Sequence, residues 1–90
     1  MTTSSCLLVD SECPAQTLRD ATAMIAEADS ELVLDFSTVQ HIDPKALRAM
    51  EELAQGAERA KLIVVFRGVN VKIYKVLKLA RLASRFSFLN

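Results

Sequence analysis

The sequence predicts a small α/β domain, a mostly parallel sheet of about four strands layered with three helices. Three observations point there. Two short apolar runs, Leu32-Val33-Leu34-Asp35-Phe36 and Leu62-Ile63-Val64-Val65-Phe66, are rich in β-branched residues and do not alternate with polar ones. That is the pattern of parallel strands buried on both faces. The stretch between the runs has helical periodicity and the length of a crossover connection. Along the whole chain the elements follow the order β-α-β-α-β-α-(β), which belongs to layered α/β domains.

Each element has its own justification. A first strand is expected around Cys6-Leu7-Leu8-Val9. Pro14 then opens a helix running to about Asp29, with Leu18, Ala21, Ile25 and Ala28 as its inward stripe. The second strand is the Leu32–Phe36 run. The helix after it is the clearest element: Ala46, Leu47, Met50, Leu53, Ala54 and Ala57 share one face, and Arg48, Glu51, Glu52, Gln55 and Glu58 the other. Asp43 suits its N-cap, and Pro44 suits the first helical position, where a missing N–H costs nothing. Gly56 is expected to end or loosen its last turn. After the Leu62–Phe66 strand, Gly68 breaks the chain and Asn70 caps a last helix through roughly Leu82. Ile73, Val76, Leu77 and Ala80 cluster on one face of that helix, and Lys72, Lys75, Lys78 and Arg81 spread around the rest. The tail Phe86-Ser87-Phe88-Leu89 alternates as a short edge strand does. We read residues 1–90 as a single domain.

Composition removes several function classes. With 51% apolar and 24% charged residues, the chain has the balance of a folded protein. A domain of this size buries roughly 60–65% of its unfolded surface, so every apolar stripe is needed. No Trp, one Tyr and four Phe leave little with which to stack single-stranded nucleic acid. No apolar run approaches the roughly 18–20 residues of a membrane span. The start Met1-Thr2-Thr3-Ser4-Ser5 lacks the basic and apolar regions of a secretory signal. The expectation is a soluble, cytoplasmic chain without membrane insertion. Cys6 and Cys13 match neither a redox nor a metal spacing, and read as free thiols in a reducing compartment. His41 is the only histidine, so no metal site and no cofactor are expected.

Charge is balanced overall but unevenly placed. Residues 1–44 hold eight acids against the single base Arg19, and residues 59–90 hold eight bases and no acid. Such a dipole either steers a charged partner or complements itself within the fold. The bases of the last helix would allow salt-sensitive phosphate contacts. A helix that needs its apolar face for the core is a poor base reader, and no nucleic-acid partner is expected.

Function in α/β sheets gathers where strands end and helices begin. Two such junctions stand out, residues 37–45 and residues 67–72. The first contains Ser37, His41, Asp35 and Asp43, yet it has no nucleophile elbow, which argues against a hydrolase. It has no glycine-rich cradle, and Asp43 at the cap repels anions, which argues against phosphate binding.

Leu32-Val-Leu-Asp-Phe-Ser-Thr-Val-Gln-His-Ile-Asp43 resembles the signature of the STAS domain, found in anti-sigma factor antagonists and in sulfate-permease-type transporters. Asp35-Phe36-Ser37, Val39, Ile42, Asp43 and Leu47 match the family pattern. Gly68-Val69-Asn70 and the helix from Val76-Leu77 to Leu82 resemble the family's next βα unit. The resemblance covers roughly residues 30–83. It implies a non-enzymatic regulatory module of bacterial type that binds another protein.

Its partner would be a kinase-like anti-sigma factor, or a transporter subunit. In the second case the chain would be a soluble accessory subunit or a regulatory domain of a transporter, either of a lipid-transport ABC system, whose Gly-Val-Asn and Tyr…Lys-Leu features resemble Gly68–Asn70 and Tyr74…Lys78-Leu79, or of sulfate-permease type. The resemblance places the partner-binding surface at Ser37, Thr38, His41, Asp43, Pro44, Lys45 and Arg48.

The chain departs from the family where the switch is usually found. The residue after the motif Asp is normally a phosphorylatable Ser or Thr and is Pro44 here, followed by Lys45-Ala46. One strand is expected before the first helix where the family usually has two. The open sheet edge this leaves would suit a homodimer.

Overall fold

A computed structural model describes residues 5–25 and 31–89. In chain order the elements are β1 (Ser5–Leu8), α1 (Pro14–Met24), β2 (Glu31–Asp35), α2 (Pro44–Ala60), β3 (Ile63–Arg67), α3 (Val71–Leu79) and β4 (Ser87–Leu89), with a 3₁₀ turn at Ala83–Arg85. The fold is a small α/β layered domain. Its four-stranded sheet runs β1-β2-β3-β4 and is parallel throughout.

Strand order decides how the layers fall. Each strand pairs beside its predecessor, so right-handed crossovers carry all three helices to the same face of the sheet. Burial agrees with that geometry. Leu32, Leu34, Val64 and Phe66 lie in register toward the helices and are buried. Leu8, Ile63 and Leu89, which point to the other face, are each more than half exposed. Val33 on that face is half-buried, and Val65 is covered there. This corrects the expectation of strands buried on both faces. Only the middle of β3 meets it, and β2 alternates between buried and half-buried residues.

The core collects Leu18, Ala21 and Ile25 of the first αβ unit, Met50 and Leu53 of α2, Ile73 and Leu77 of α3, and Phe36, Phe66 and Phe86 around the far strands. Phe66 is its aromatic centre. Its ring stacks on Phe86 at 4.2 Å between centroids, tilts against Phe36 at 4.6 Å and meets the edge of Phe88 at 5.7 Å. Such offset and edge contacts add to the area buried.

Helix boundaries differ from the expectations in instructive ways. The part of α1 proposed to continue toward Asp29, with Ala28 in its stripe, lies outside the described residues. Gly56 does not end α2, which continues to Ala60. A β-carbon on Gly56 would lie 2.9 Å from Ile25 Cδ1, so this glycine lets the end of α1 approach α2. Ala49 joins the inward face of α2, and Leu47 is only half-buried.

The last helix stops at Leu79 rather than Leu82. There Arg81 adopts a left-handed φ of 61°, the Leu82 N–H donates to Leu77 O at 2.8 Å, and the Arg81 N–H donates to Lys78 O at 3.1 Å. Ala80, expected inward, is therefore exposed. The end of α2 repeats the motif through Lys61 (φ 56°), with Leu62 N–H donating to Ala57 O at 2.9 Å and Lys61 N–H to Glu58 O at 3.2 Å. These are Schellman closures in which Leu62 and Leu82 tuck back into the core.

Candidate functional site

The carboxyl ends of β2 and β3 bring the two junctions side by side. At the first, the Val39 N–H donates to Phe36 O at 3.0 Å, closing a turn with Ser37 and Thr38 at its tip. The Asp35 carboxylate folds back over it and accepts the Ser37 N–H at 2.8 Å. The Ser37 hydroxyl first and then this N–H hold the Asp35 carboxyl below its ordinary range against the opposing effect of burial, and the charge of Arg67 adds a lesser lowering. Arg67 stands beside it in register on β3.

The chain then enters α2. The Asp43 side chain accepts the Ala46 N–H at 2.8 Å, and Pro44 occupies the first turn. This capped start sets the rotation of the helix about its axis. Ala46, Ala49 and Met50 turn into the core while Pro44, Lys45 and Arg48 stay on the surface. Ser37, Thr38, His41 and Asp43 are exposed as well, so all seven residues proposed from the sequence lie on the surface of one loop and the helical turns after it. His41 and Gln40 line a shallow concavity of about 300 Å³ with Asn70, Val71 and Lys72.

What sequence reasoning missed is how the second junction holds the first. Phe36 N–H donates to Arg67 O at 2.7 Å, continuing the β2–β3 ladder past the strand ends. Gly68 has φ +72°, and a β-carbon there would sit 3.1 Å from the backbone of Ser37. Only glycine combines that conformation with so close an approach. Asn70 serves two junctions at once. Its Oδ1 accepts the Ile73 N–H at 2.8 Å and caps α3, while its Nδ2 donates to Val39 O at 3.3 Å and Gln40 O at 3.1 Å. The loop before α2 is thus clamped from the turn before α3. The Gly68-Val69-Asn70 spacing was the available signal, visible as a turn and a cap but not as a clamp.

The arrangement presents charge and shape on an exposed, capped turn. Among the described residues no three His, Cys, Asp or Glu gather where a metal ion could be held, and both cysteines are free and exposed. No described helix is long and apolar enough to cross a membrane.

The profile of one protein family, the STAS domain, matches residues 14–90. No curated protein matches the chain closely enough to count as a relative. STAS domains as a class are regulatory protein-interaction modules and are generally non-catalytic. The matched span contains the Asp35–Ser37 turn, the Asp43-capped helix and the parallel βα order found here, and the chain belongs to the STAS domain family.

Proposed function

We propose that this protein is a non-enzymatic, cytoplasmic regulatory domain resembling anti-sigma factor antagonists, and that it docks a protein partner through the start of α2. The observation that carries this reading is the capped first turn, which holds Pro44, Lys45 and Arg48 outward on a loop pinned by Asn70. A preorganised, exposed turn loses little conformational freedom on binding. Pro44 has no hydroxyl, so the partner's kinase has no acceptor at that position, and docking is constitutive there. Ser37 and Thr38 act as turn residues rather than switches. Kinase-like anti-sigma factors incubated with the protein should leave residues 37–45 unmodified in site-resolved mass spectrometry. Phosphate on any of them overturns the unswitched part.

Lys45→Glu reverses a charge at the centre of this surface. It should weaken the partner isolated by pull-down by about tenfold with an unchanged far-UV spectrum. Unaltered affinity moves the interface elsewhere.

A second reading, a soluble accessory subunit of a transporter, is supported by the resemblance of Gly68-Val69-Asn70, which leads into α3, and of Tyr74 with Lys78-Leu79 within it. Neighbouring genes separate the two. An anti-sigma factor favours the first, and an ABC ATPase with its permease the second. Self-association is a further part of the proposal. Among the described residues β1 pairs only with β2, and its Leu8 is exposed, which suits edge-to-edge pairing with a second copy. A strictly monomeric mass by light scattering across concentration removes that part.

A further inference from the structure

The outer side of α3 is built differently from the rest of the surface. Ile73 and Leu77 anchor this helix to the core, yet Val71 is 69% exposed, Tyr74 41% and Leu79 86%. Three concavities lie one after another along it. The first holds His41, Gln40 and Lys72. The second, of about 250 Å³, lies between α3 and β4 and is lined by Val69, Val71, Tyr74, Phe88 and Leu89. Its wall is firm, since the Tyr74 and Phe88 rings meet edge to face at 5.2 Å. The third, of about 450 Å³, is lined by Tyr74, Lys78, Arg81, Ala83 and Ser84. Val71 and Asn70 are shared by the first two, and Tyr74 by the last two, so the run is continuous.

An apolar recess therefore sits between two cationic ones. The charge is uncompensated locally. Residues 59–90 contain no acid, and among the described residues the ion pair formed is Arg85 with Glu58, away from Lys72, Lys75, Lys78 and Arg81. We propose that this outer side of α3 is a docking groove for an acidic protein segment carrying one large apolar side chain. The anchor enters the Val71–Tyr74–Phe88–Leu89 recess, and carboxylates on either side meet Lys72 and the Lys78–Arg81 pair. Charge complementarity sets orientation and encounter rate, and the buried anchor supplies most of the affinity. The recess is open and shallow, which suits a side chain on a peptide better than an enclosed small molecule. This surface adjoins the start of α2 at His41, but its anchor recess and its cations are other residues, so Val71→Asp and Lys45→Glu separate the two readings.

The test uses a displayed library of random linear dodecapeptides selected on the wild-type protein, with the enriched sequences synthesised as fluorescent probes. The expected result is enrichment of acidic peptides with one Leu, Ile, Met or Phe. Their affinity for the wild-type protein should fall as salt is raised, and at low salt it should be at least about tenfold weaker in Val71→Asp and in Lys78→Glu. Both positions are exposed, and an acid in the first turn of α3 favours the helix, so folding is retained and is checked by far-UV circular dichroism. Three results overturn the proposal: no enrichment of acidic sequences, probes that bind both variants as tightly as wild type, or probes lost on Lys45→Glu but kept on Val71→Asp. Phosphatidylglycerol vesicles and light scattering run beside it. If these variants abolish vesicle binding or self-association and spare the peptides, α3 is a membrane or self-association surface instead.

Discussion

At the scale of single residues, Asn70 does two separable things, and two substitutions separate them. Asn70→Ala removes the α3 cap and both hydrogen bonds to the preceding loop, and should cost about 1–3 kcal/mol in urea unfolding. Asn70→Asp keeps an acceptor for the Ile73 N–H but sets a carboxylate oxygen against Val39 O and Gln40 O, where a donor now stands. It should preserve the helix and displace the loop, shifting the amide resonances of residues 39–43 and lowering partner affinity. Asp35 makes a pH prediction. Folding lowers its pKa below the ordinary 3.8, so its ionised form contributes stability above that value, and the contribution is lost as pH falls through the lower folded value. Asp35→Asn should therefore be less stable than wild type at neutral pH. The difference should close in acid, as tracked by denaturant midpoints across pH.

At the scale of elements, the helix starts were legible and the helix ends were not. Pro44 after Asp43, and Asn70 before an apolar-periodic run, are starting signals whose chemistry lies in the residues themselves. The ends carry no such mark, because both Schellman closures use a cationic residue, Lys61 and Arg81, where glycine is usual. Gly56, the glycine that did suggest an end, answers to the neighbouring helix through Ile25, a contact between elements that no local pattern contains. The side-chain β-carbon makes the left-handed conformation unfavourable at Lys61 and Arg81. Lys61→Gly should relieve that strain and raise stability by about 0.5–1 kcal/mol. It should appear as a higher urea midpoint at unchanged slope.

At the scale of the whole molecule, alternation of apolar runs and amphipathic stretches was enough to read the parallel sheet and its three helices. The seven residues proposed for docking could be grouped from the sequence because they are close in it, from Ser37 to Arg48, and the structure leaves all of them exposed. The groove along α3 was not, since Phe88 and Leu89 reach Val71 and Tyr74 only after β4 joins the sheet. The strand order has one more consequence. Because every strand lies next to the one before it, no strand has to be threaded between two already paired, and β2-α2-β3 can form first and add units at either side. Each parallel pairing still closes a loop that spans a whole helix, as Glu31 with Ile63 does, and such non-local pairing goes with slower acquisition of structure than a helical bundle shows. The sheet can grow outward from its middle, one strand and one helix at a time, with neither edge waiting on the other.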